Sequence, residues 1–106
     1  MTAADDERRL LHAAADRLEE LAARTTGGVW ATAGLLATRP EVVARFPDGS
    51  TQHVAEARAA TAGWIVALSP DVAGPLSAWL RAAATGPRSP EALAVARALA
   101  GSGADV

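Results

Sequence analysis

A chain of 106 residues, half of them hydrophobic and about a fifth charged, has the make-up of one globular domain with a single continuous core. The net charge of −2 excludes a polycation built to bind phosphate over its whole surface. The absence of cysteine excludes disulfides, thiolate metal sites and cysteine nucleophiles together.

The opening MTAADDERRL has no apolar leader core, and no apolar run approaches the ~20 residues a membrane span needs, so a cytoplasmic location and no membrane association are expected. All ten basic residues are arginine and alanine dominates the rest, a bias that GC-rich codons produce unaided; a high-GC bacterium or one of its phages is the expected source. One domain is expected over 1–106, with an ordered core over about 5–100 and a frayed tail over 101–106.

Residues 3–24 are predicted to be a helix, because Leu10, Leu11, Ala14, Leu18, Leu21 and Ala22 form one stripe at 3.6-residue spacing. Its other face pairs Asp5 with Arg9, His12 with Asp16 and Glu20 with Arg24 at i,i+4 spacing. Gly27 and Gly28 are read as the helix stop.

Residues 29–54 turn β-branched and are broken by Gly34, Pro40 and Pro47, which predicts strands. The firmest piece is a hairpin, EVVARF and STQHV about the turn Pro47-Asp48-Gly49. A third strand near Val29–Thr32 would give that ribbon the neighbour it needs.

From Ala55 the helical period returns, and Ala59–Leu68 carries no charge, so this helix is expected to be buried on nearly every face. Ser69-Pro70 should restart the chain as an N-cap and first helical residue. The following helix shows Val72, Leu76, Trp79, Leu80 and Ala83 on one stripe, and Gly74-Pro75 should bend it or delay its regular start. Ser89-Pro90 repeats the device before a short helix over 90–100, which Gly101 stops. The expected fold is α+β: a long N-terminal helix, a small sheet of two or three antiparallel strands, an αα-hairpin over 55–84 and a short C-terminal helix.

Trp64 shares its helix face with Ala57, Ala60, Thr61 and Leu68, within about 60° at ~100° per residue. That is the pattern of a packing face, so Trp64 and Trp79 are expected to meet in one core interface. Trp30, just after the Gly-Gly turn, is read either as a lid on the core or as an exposed contact; with Leu10, Leu18 and Leu21, more apolar surface than a small sheet covers, it is a candidate partner contact, including contact with a second copy.

His12 and His53 have no neighbours at metal-ligand spacing, though Glu56 could partner His53. The serines sit at caps, turns or surfaces, and no nucleophile-elbow, P-loop or dinucleotide-binding motif is present. No catalytic, cofactor-binding or metal residue is assigned, and no cofactor is expected. A DNA-reading helix after Ser69-Pro70 would offer only Arg81, near its far end, so nucleic acid is not the expected partner.

The order T-T-G-G-V-W, a hairpin V-V-x-x-x-x-D-G, then A-x-W-I-V-A-L-S-P resembles small actinobacterial and phage proteins of the Ead-like phage accessory group, on Gly28, Trp30, Ala62, Trp64, Ile65, Ala67, Ser69 and Pro70. Val29 stands where those proteins often have proline, and Gly74-Pro75 and the last helix depart from their pattern. The resemblance implies an α+β fold and a mobile-element origin, and transfers no catalytic residue. The expected function is a non-catalytic protein that binds another protein or itself. A DNA-binding regulator and a small enzyme or ligand-binding domain are the alternatives.

Overall fold

The computed structural model describes residues 1–34 and 40–101. It is a mixed helix and sheet structure in the order α1 (Ala3–Arg24), β1 (Val29–Ala33), β2 (Glu41–Arg45), β3 (Thr51–Glu56), α2 (Ala59–Ala67), a 3₁₀ turn (Pro70–Val72), α3 (Ala73–Thr85) and α4 (Pro90–Gly101). Of the expected frayed tail over 101–106, Gly101 is the last residue of α4, and the residues from 102 onward lie outside the described residues. The chain divides into two compact units, one of α1, α3 and α4 and the other spanning Thr25–Val72.

In the helical unit, α1 begins with a reciprocal cap: the Asp5 amide donates to Thr2 Oγ1 at 3.1 Å and the Thr2 amide donates to Asp5 Oδ2 at 3.3 Å. Leu11, Ala14 and Ala15 of α1 are buried with Leu80 and Ala84 of α3 and Ala92, Leu93 and Ala96 of α4. This core is built largely of alanine. Small side chains let the helix backbones approach closely around Leu80 and Leu93, two of the three largest fully buried side chains.

The inward stripe of α3 is Ser77, Leu80 and Ala84, whereas Trp79, expected at its centre, stands 42% exposed. A serine can occupy that stripe because its hydroxyl donates to the Gly74 carbonyl at 3.0 Å and so leaves no orphan donor in the core. The regular helix α3 begins at Ala73, directly after the 3₁₀ turn, so Gly74 and Pro75 fall in its first turn, where a proline is tolerated. The α4 start is as expected, with Ser89 Oγ accepting from the Ala92 amide at 3.2 Å.

In the second unit the three strands pair antiparallel in the order β1-β2-β3. β2 is central, and its Val42, Val43 and Ala44 are all buried, as residues facing both sides of a covered strand must be. The hairpin turn closes through the Phe46 amide to the Ser50 carbonyl at 3.0 Å and the Gly49 amide to the Phe46 carbonyl at 2.9 Å. Gly49 takes φ +85, and Asp48 Oδ1 accepts from the Ser50 amide at 2.9 Å, so the Pro-Asp-Gly signal did report a turn.

Gly28 has a different role from the helix stop expected of it. Its φ is +77, and a Cβ there would lie 2.8 Å from the Arg45 carbonyl oxygen. Only glycine lets the chain enter β1 that close to the end of β2.

Candidate functional site

The side chain with the most unusual placement is the indole of Trp64. It stands on α2, which packs against β1 and β2 and buries only Ala62. Ala62 and Trp64 lie about 200° apart around a helix, so the contact with the sheet turns Trp64 outward. Trp64 is 68% exposed and Leu68, one turn on, is 56% exposed. Ala60, Thr61, Gly63 and Ala67 are exposed beside them. The outer face therefore carries no charged residue. The expectation that this helix is buried on nearly every face, with Trp64 in a core, is overturned, and Trp79 is not a core residue either.

The physical reason is geometric. Nine residues lying on a three-stranded sheet can bury one side, and Ile65 and Val66 are only half-buried along the edges of that contact. At ~25 cal/mol per Å² and ~150–250 Å² per tryptophan, the exposed indole leaves roughly 3 kcal/mol of burial unrealised. The helix also ends for a local reason. Ser69 precedes Pro70, which disfavours the α conformation at Ser69, and the last amides of the turn are satisfied by Leu68 N–H to Trp64 O and Ser69 N–H to Val66 O, both 3.2 Å.

The sequence-chosen contact residues fall elsewhere. Leu10 and Leu18 are partly buried and pack against the helical core, while Leu21 is 49% exposed near the end of α1. Trp30 is half-buried, opposite Ala44 in the sheet, and its Nε1 donates to the Thr26 carbonyl at 3.1 Å. That bond anchors the ring to the turn entering β1 and leaves its indole N–H satisfied within the unit.

The charged groups of the helical unit mostly serve one another. Arg81 reaches from α3 to α1, donating from Nη2 to Asp16 Oδ1 at 2.6 Å and to Glu19 Oε2 at 3.0 Å, with Nη1 3.3 Å from His12 Nδ1. Those hydrogen bonds, to Asp16 first and then Glu19, raise the guanidinium further above its ordinary value. Arg88 grips Glu7 through Nε to Oε1 at 3.0 Å and Nη2 to Oε2 at 2.9 Å. This hydrogen bonding holds the Glu7 carboxyl below the usual carboxylate range. Of the expected i,i+4 pairs, Asp5 instead joins Arg8 and Arg9 joins Asp6, both at i,i+3, and Asp16 is drawn across to Arg81.

On the sheet, the Glu41 carboxylate lies beside His53, its Oε2 2.6 Å from His53 Nδ1. His53 stands opposite Val43, and Glu41, two residues away along β2, shares that face, so the two side chains meet diagonally across the strands; the register shift between Val42 and Val43 leaves Val54 as an extra residue. Among the described residues no group of three or more His, Asp or Glu side chains could hold a metal ion.

A cleft of about 180 Å³ in the helical unit is floored by Leu11, Ala84 and Leu93 and rimmed by Glu7, Arg8 and Arg88. On its polar rim Glu7 pairs with Arg88 and Arg8 with Asp5. No described helix is long and apolar enough to cross a membrane. Comparison with known proteins found no matching family model, no matching curated protein and no matching solved structure.

Proposed function

We propose that this chain is a non-catalytic cytoplasmic accessory protein that works by binding another protein through the outer face of α2. The observation that carries this reading is the 68% exposed Trp64, with Leu68 beside it, on a helix face without charge. Tryptophan is enriched among the few residues that dominate binding energy at interfaces. Arg81, the one cation that a DNA-reading helix after Ser69-Pro70 would offer, is paired with Asp16 and Glu19. The resemblance to the Ead-like phage accessory proteins agrees with an accessory role in a phage or prophage.

The test is affinity capture on the immobilised protein from a high-GC bacterial lysate, followed by titration of the purified candidate against the wild type and Trp64→Ala. A partner that binds at defined stoichiometry and weakens at least tenfold against the folded variant supports the proposal. Equal affinity for both proteins, or binding confined to duplex DNA, overturns it.

A further inference from the structure

We draw no further inference here: the strongest candidate, the uncharged outer face of α2 around Trp64 and Leu68, already carries the proposed function, and nothing in the structure shows what covers it.

Discussion

Helices α1 and α2 solve the same packing problem with different outer faces. Each turns alanine inward, Ala14 and Ala15 in α1 and Ala62 in α2. On its solvent side α1 carries Asp16 and Glu19, which receive Arg81 from a neighbouring helix, while its Glu7 receives Arg88. The solvent side of α2 carries Trp64, Leu68 and small residues. The helical unit pairs many of its charged groups with one another while leaving Leu21 and Trp79 exposed, and α2 presents an outer face that is apolar and uncharged. That apolar, uncharged face is the surface on which the proposed binding rests.

The comparison is broken most severely where burial is complete. Leu80→Ala removes a side chain with no exposure from the alanine-rich core, and the expected loss is ~2–5 kcal/mol in denaturant unfolding. A loss below about 1 kcal/mol would mean that this core is not close-packed. Gly28→Ala should follow at ~1–3 kcal/mol, since the substitution meets both the positive φ and the 2.8 Å approach to the Arg45 carbonyl. Its unfolding midpoint against that of Gly63→Ala, where nothing lies within 4 Å of the new Cβ, separates close approach from simple glycine replacement.

A smaller effect, visible mainly as a pH dependence, belongs to Arg88→Ala. Because Arg88 depresses the Glu7 carboxyl in the folded state, their contribution is present above the unfolded carboxylate value and is lost as pH falls through the depressed folded one. The wild type should therefore be the more stable at neutral pH, and the two stabilities should converge on acidification. Melting curves that stay equally separated down to acid pH would show that Arg88 acts through packing instead.

The elements themselves were legible in the sequence because each carries a local signal. The Leu/Ala stripe marked α1, Pro47-Asp48-Gly49 marked the hairpin turn, and Ser89-Pro90 marked the start of α4. What lay beyond reach was set by contacts distant in the chain. The β2–β3 register gives His53 to Glu41, and Asp16 is paired with Arg81 from another helix. Neither leaves a trace in spacing. Trp64 was misjudged for a third reason. A chargeless helix is buried all round only where something covers each side, and periodicity cannot count the covering elements. The charge-free run Ala59–Leu68 was read as a sign of burial, whereas in the structure it supplies the exposed outer face of α2.

The smallest expected effect tests the account most directly. Urea unfolding of Trp64→Ala should give a stability within about 0.5 kcal/mol of the wild type, the range of an exposed substitution away from any structural contact. A loss of ~3–5 kcal/mol, as a buried tryptophan would cost, would place Trp64 in a core and remove the surface on which the proposed binding depends.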